Sequence, residues 1–187
     1  MTKSAILVDE MNVIGQLHRI GIEGIQPWSA FYKGIQDLIG FPTENHFYCS
    51  NVPEHMNTRF QRRGRFFHAL KRDGIEVHEG FSVLDSQEKL VEKGVDVMLG
   101  MDISLFALDG VKDIIVCSGD SDLVPAIERA KFYGSRIHVV VSKNIPAAHI
   151  IDAADVIIRL EDVLKYIPSH SIVKSSIRKQ NFIKEGA

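Results

Sequence analysis

Acidic residues stand at a few positions of this sequence in a pattern that suits a divalent cation. Asp9 follows directly on the apolar run Ser4–Val8, and Asn12 comes three residues later. Asp120 and Asp122 belong to the turn S-G-D-S-D, behind a second apolar run, Asp113–Cys117. Asp96 sits in K-G-V-D-V, at the head of a stretch carrying Val95, Met98 and Leu99. Asp102 is on the same stretch, and a 100° helical step puts it about 120° around the axis from Asp96. Two carboxylates about 5 Å apart repel by roughly 3 kcal/mol at an effective dielectric near 20. Four drawn to one edge must therefore take up protons or hold a cation. Oxygen donors without cysteine or histidine favour Mg²⁺ or Mn²⁺ over zinc. Mg²⁺ held by a few carboxylates is the usual arrangement for phosphoryl chemistry. Each acid also has a plainer reading. Asp122 fits a helix N-cap with Pro125 in the first turn, and Asp120 a turn beside Gly119. Asp96 suits a helix dipole, and Asp9 could be a loop acid.

The elements that would position these acids alternate between strand and helix. Ser4–Val8, His46–Cys49, Ile75–His78, Asp113–Cys117, Arg136–Val141 and Ala153–Ile158 have strand length and apolar character. Between them, Pro27–Ile39, a segment from Pro53 to about Arg72, Val95–Leu108 and Leu123–Tyr133 carry helical periodicity. A last helical turn or two follows at Glu161–Tyr166, and Glu79–Glu88 reads as loop. Such alternation predicts βαβ units and a three-layer α/β/α fold, Rossmann-like, with a central, mostly parallel sheet. Ligands bind such sheets at the carboxyl ends of the strands, where Asp9, Asp120 and Asp122 fall. The expected organisation is one domain over residues 1–167, with a basic, partly ordered tail over 168–187. That tail holds Lys174, Arg178, Lys179 and Lys184 against the single acid Glu185.

Composition narrows the classes. The chain has 187 residues, 45% hydrophobic and 25% charged, so it can fold around a sizeable core. No apolar run approaches the ~18 residues of a membrane span, and Ser4–Val8 is too short for a secretory signal. A cytoplasmic protein is expected. The two cysteines, Cys49 and Cys117, lie in apolar runs, which argues against a disulfide framework or a zinc finger. A net charge of −2 excludes coating nucleic acid by bulk charge.

With these residues placed, a resemblance emerges. D-E-M-N at Asp9–Asn12, K-G-V-D-V-M-L at Lys93–Leu99 and C-S-G-D-S-D-L-V-P at Cys117–Pro125 resemble the NYN domain. More narrowly, they resemble the LabA-like branch of the PIN-like nuclease superfamily, in motif order from about Ser4 to Val163. The resemblance implies a metal-dependent ribonuclease site. Asp9, Asp96, Asp120 and Asp122 match its acids, Asn12 its asparagine and Ser118 the small polar residue at the strand end. Together they would hold Mg²⁺ or Mn²⁺ and activate water for attack on an RNA phosphodiester. Asn12 would orient that water or a phosphate oxygen.

A basic segment supports an RNA path. Asn51–Ile75 carries six basic residues, Arg59, Arg62, Arg63, Arg65, Lys71 and Arg72, against Glu54 and Asp73. Arg59, Arg62 and Arg63 fall at helical spacing, with Phe60, Phe67 and Leu70 toward the core. Arg59, Arg62, Arg63 and Arg65, with Ser118, are the expected nucleic-acid contacts, and His55 and His68 could add phosphate contacts. The plainer alternative is a solvated face. The expected partner is RNA, single-stranded or structured; no membrane is expected, and a homodimer is compatible with the sequence. The rival reading is a non-catalytic RNA-binding or regulatory module that keeps the fold. A nucleotide-cofactor enzyme is disfavoured, because D-E-M-N-V-I-G replaces a glycine-rich phosphate loop and no G-x-x-x-x-G-K-[ST] occurs. A phosphoacceptor receiver leaves the paired aspartates and basic helix unexplained, and no G-x-S-x-G supports a catalytic triad.

Overall fold

The computed structural model describes residues 3–174. The chain runs through β1 (Ser4–Asp9), α1 (Glu10–Arg19), β2 (Ile22–Ile25), α2 (Ser29–Ile39), β3 (Glu44–Asn51) and α3 (Asn57–Arg72). It continues through β4 (Glu76–Leu84), β5 (Leu90–Lys93), α4 (Val95–Leu108), β6 (Asp113–Cys117) and α5 (Val124–Phe132). The remainder is β7 (Arg136–Val141), α6 (Ala148–Ala153), β8 (Val156–Arg159), α7 (Leu160–Val163) and β9 (Ile172–Lys174).

Seven strands make one sheet in the order β5-β4-β3-β1-β6-β7-β8. All neighbours are parallel except β4 and β5. The reason is legible in the central strands: β1 is buried at all six positions, and a strand covered on both faces must be apolar throughout. Alternate residues feed two cores. Ile6, Val8, Ile115 and Cys117 pack with Val13 of α1, Phe31 of α2, Phe67 of α3 and Val163 of α7. Leu7, Ile114 and Val116 pack with Leu99 of α4, Ile127 of α5 and Ile150 of α6. Helices therefore cover both faces, giving the expected three layers. The order reverses at β1, with β3 and β4 on one side and β6 to β8 on the other. This switch point opens a crevice at the carboxyl ends of β1 and β6.

The expected strand at Ile75–His78 and loop at Glu79–Glu88 are corrected by the structure. β4 runs on to Leu84 and turns back through β5, pairing Phe81 with Lys93 and Leu84 with Leu90. The hairpin lies at the sheet margin, where Phe81, Val83, Leu84 and Leu90 stay exposed. Without a buried face, no apolar alternation marks it. Helices α1 and α6 and strand β2 also lie outside the expected elements. In α1 the Asp9 carboxylate caps the helix by accepting from the Asn12 amide, and Val13 and Leu17 face the core.

Beyond Pro168, the chain continues into β9, which pairs antiparallel with β2 in a separate two-stranded sheet. Arg178, Lys179 and Lys184 of the basic tail lie outside the described residues. Among the described residues, no helix is long and apolar enough to cross a membrane.

Candidate functional site

The crevice at the switch point brings the acids of β1, β6 and α4 toward one another. Asp9 ends β1 and is only 4% exposed. Its Oδ1 accepts from the Asn12 amide at 3.0 Å, and its Oδ2 from the Ser118 hydroxyl at 3.0 Å. Burial nevertheless pushes its carboxyl up to about 6; the two hydrogen bonds oppose that rise, and the facing charges of Asp96 and Glu92 add to it. Asp120 turns its Oδ1 to the Asp122 amide at 3.0 Å, capping the short 3₁₀ turn Ser121–Leu123 that leads into α5. Asp122 is exposed and lines, with Asp96, a hollow of about 650 Å³ bordered by Gly100, Met101 and Pro125. Asp96 is raised above its ordinary value by partial burial, then by Asp120 and Asp122.

A left-handed turn and a close backbone approach set Asp96 in place. Gly94 adopts a left-handed conformation (φ +81°) as the N-cap of α4, which a side chain would strain. A Cβ on Gly80 would stand 2.7 Å from the Lys93 carbonyl oxygen and 2.8 Å from Val95 Cγ2. Strand β4 can therefore pass directly beneath the start of α4.

Two expected contact residues take different places. Ser118, expected to touch nucleic acid, is fully buried. It donates to Asp9 and accepts from the Asp120 amide at 3.2 Å, joining the β1 acid to the β6 turn. Asn12 likewise braces the frame. Its Oδ1 accepts from Gln16 Nε2 and from the Gly119 amide, both at 2.8 Å, instead of presenting that oxygen to the crevice. Asp102 lies apart from the other acids, accepting from the Tyr48 hydroxyl at 2.8 Å.

Helix α3 divides its arginines. Arg59, Arg62 and Arg65 are exposed and form no ion pair among the described residues. Arg63 turns inward and donates from both terminal nitrogens to Glu10 at 2.7 and 2.6 Å, and to the Ser50 carbonyl at 2.7 Å. Burial works to lower its pKa, but the bonds and charge of Glu10 outweigh that and hold it above its ordinary value. The guanidinium also stands 4.7 Å from the Phe67 ring centroid. Because Glu10 follows Asp9, this pair clamps the basic helix to the acidic edge. Lys71 and Arg72 pair with Glu79 and Asp73.

Two acids outside the sequence-derived set belong to this region. Glu10 is 5% exposed and holds Arg63. Glu92 of β5 is half-buried, with Oε2 lacking a hydrogen-bond partner among the described residues. Burial raises its pKa, opposed by a Ser50 bond and reinforced by Glu10 and Asp96. Glu10 was visible in D-E-M-N as an acid beside Asp9, and Glu92 four residues before Asp96, but only the hairpin shows that Glu92 faces the crevice.

The comparisons with known proteins agree with this architecture. A family model described as the NYN domain matches residues 28–161. No curated protein matches the chain. Among solved structures, a protein of unknown function from Vibrio parahaemolyticus RIMD 2210633 is similar in fold, with 21% identity and a TM-score of 0.65. The match covers 87% of this chain and 94% of that one. A putative aminotransferase from Clostridium difficile 630 matches at 14% identity over 80% of this chain and 41% of that one, but with a TM-score of only 0.27.

Proposed function

Because the chain belongs to the NYN domain family, whose members have a PIN-like nuclease fold and are generally ribonucleases, we propose that it is a Mg²⁺- or Mn²⁺-dependent endoribonuclease of LabA-like type. The observation that supports this most is the placement of a basic helix and an acidic crevice on one edge, joined by the Arg63–Glu10 pair.

The crevice has the donor chemistry of a hard-cation site, with its carboxylates spread wider than the 4.8 Å within which three ligand atoms would already converge. Its donors are all carboxylate oxygens, Asp9 is pushed up to about 6, and Asp96 and Glu92 are raised. Carboxyls that burial first and neighbouring anions second hold toward protonation are relieved by a divalent ion. Asp9, Asp96, Asp120 and Asp122 would hold it, with Glu92 at their margin. The ion would supply a Lewis acid that activates water and neutralises charge building on the phosphate. The chain's own residues perform the remaining tasks. Ser118 and the Asn12 amide fix the Asp9 carboxylate in one orientation, with one lone pair of each oxygen engaged. Asn12, through Gly119, holds the turn that carries Asp120 and Asp122. Arg59, Arg62 and Arg65 would take successive phosphates of single-stranded or structured RNA, whose affinity such contacts dominate. The proposed setting is the cytoplasm.

Cleavage of a mixed RNA pool in Mn²⁺, Mg²⁺ or EDTA, comparing the native chain with Asp122→Asn, tests the proposal. Cutting that needs the ion and is lost in the variant is expected. RNA binding without cutting in any ion would overturn it in favour of a non-catalytic binding module.

A further inference from the structure

Beneath α4, away from the acidic crevice, lies a second cluster of ionisable side chains. In the parallel pair β3 and β4, His46 stands opposite Glu76 and Tyr48 opposite His78. All four side chains share the face that α4 covers, since residues two apart on a strand point the same way. His46 Nδ1 is 3.1 Å from His78 Nε2 and 3.6 Å from Glu76 Oε2. One donor atom from each of the three residues lies within 4.8 Å of the others. Nitrogens each about 2.0–2.1 Å from a tetrahedral zinc ion stand roughly 3.3 Å apart, so the two imidazoles are already near ligand spacing.

Proton placement explains why such an ion is needed. His78 Nδ1 faces Asp102 Oδ2 at 3.4 Å. That carboxylate draws the ring proton to Nδ1 and leaves a lone pair on Nε2. Asp102 is itself held by the Tyr48 hydroxyl, and the Tyr48 ring stacks on His78 with centroids 4.3 Å apart. His46 is 4% exposed. Its Nε2 is buried without a hydrogen-bond partner among the described residues, and its ring packs against Phe106 at 4.7 Å. A proton on His46 Nδ1 would satisfy His78 but strand a buried lone pair on Nε2. A proton on Nε2 instead leaves two lone pairs opposing each other at 3.1 Å. Protonating both nitrogens would still leave the buried Nε2–H without an acceptor among the described residues. A cation that accepts both lone pairs resolves the conflict.

We propose that His46 Nδ1, His78 Nε2 and the Glu76 carboxylate form a binding site for a zinc-like transition-metal ion, with Asp102 and Tyr48 orienting His78. Two imidazoles and a carboxylate select such an ion over Mg²⁺, which prefers oxygen alone. Glu76 is exposed and gives the ion its way in. Bound there, the ion ties β3 to β4 and, through Asp102, to α4. The site stands or falls independently of any RNA cleavage.

The test uses the full chain, stripped of metal by chelation and kept in excess Mg²⁺ so that the acidic crevice is occupied. Zn²⁺ is titrated calorimetrically, and thermal unfolding is followed alongside. One Zn²⁺ per chain and a Tm that rises with Zn²⁺ are expected. Glu76→Gln, a surface change that leaves the fold intact, should weaken binding at least 10-fold. Asp102→Asn should weaken it about 10–100-fold, as loss of an orienting carboxylate does, and Asp122→Asn should leave it unchanged. Absence of Zn²⁺ binding in the presence of Mg²⁺ overturns the proposal. So does binding that survives Glu76→Gln but is lost in Asp122→Asn.

Discussion

Replacing Asp9 by asparagine should make the protein more stable while removing its proposed activity. A buried carboxyl with a folded pKa of about 6, against 3.8 when unfolded, costs folding about 3 kcal/mol once both states are ionised. The sign follows from proton uptake. Above about pH 6 the wild type carries the full cost. As pH falls from 6 toward 4 the folded chain binds a proton that the unfolded chain does not, and the cost is relieved. Below 3.8 both states are protonated and no cost remains. Asparagine at position 9 is neutral at every pH, keeps the acceptor for the Asn12 amide, and can turn its NH₂ toward the Ser118 hydroxyl. Urea unfolding in EDTA should therefore find Asp9→Asn more stable by up to about 3 kcal/mol at pH 8, with the gap closing toward pH 4. Adding Mg²⁺ should narrow the gap at pH 8, because an ion at 100 times its Kd stabilises the wild type by about 2.7 kcal/mol. A variant less stable than wild type at pH 8, or a gap that does not change with pH, would refute the claim that Asp9 is held charged against its surroundings.

Other perturbations separate the clamp, the RNA path and the frame. Arg63→Ala leaves the buried Glu10 carboxylate unpaired and should cost about 3–5 kcal/mol in urea unfolding, whereas Arg59→Ala should stay within about 0.5 kcal/mol; equal losses would show that the Arg63–Glu10 pair is not a structural clamp. Replacing Arg59, Arg62 and Arg65 together by alanine, in an Asp122→Asn background, should reduce the slope of log affinity for single-stranded RNA against log salt by about 2, at roughly 0.7 per phosphate lost. Fluorescence anisotropy over a salt series reads this, and an unchanged slope would remove α3 from the RNA path. Gly80→Ala drives a Cβ into the Lys93 carbonyl oxygen and should cost about 1–3 kcal/mol and lower cleavage by displacing Asp96. Normal cleavage in that variant would show that the position of Asp96 does not depend on this close approach.

Elements buried on both faces could be read from sequence, because burial leaves an unmistakable composition. Asp113–Cys117 and Arg136–Val141 have the same bounds in sequence and structure, as does the apolar helix Val95–Leu108, which buries one face only. Strand ends then located Asp9, Asp120 and Asp122 on one edge. Features created by long-range approach could not be read in the same way. The spacing of Arg59, Arg62 and Arg63 suggests a shared helix face, but it cannot reveal that Glu10, 53 residues away, draws Arg63 inward. Ser118, expected as a nucleic-acid contact at a strand end, is instead fully buried in a turn against which Asn12 of α1 and Ile145 close at Gly119, an approach that sequence spacing does not carry. Glu92 falls between the loop expected at Glu79–Glu88 and the helix expected from Val95, in a stretch given no element, and its approach to Asp96 exists only once the hairpin folds. The same holds for His46 and His78, which are 32 residues apart and meet only because β3 and β4 pair in that register.

The hairpin of β4 and β5 also separates what can change from what cannot. Its rung Phe81–Lys93 sits immediately before Gly94 and α4, so the position of Asp96 is decided at the base of the arm. Its tip, 85–89, is exposed and touches neither core. Chain length and side chains at the tip can therefore be altered, or another loop grafted there, without moving the carboxylates. Exchanging residues 85–89 would change what the arm presents to solvent while the carboxylate edge at its base stays where it is.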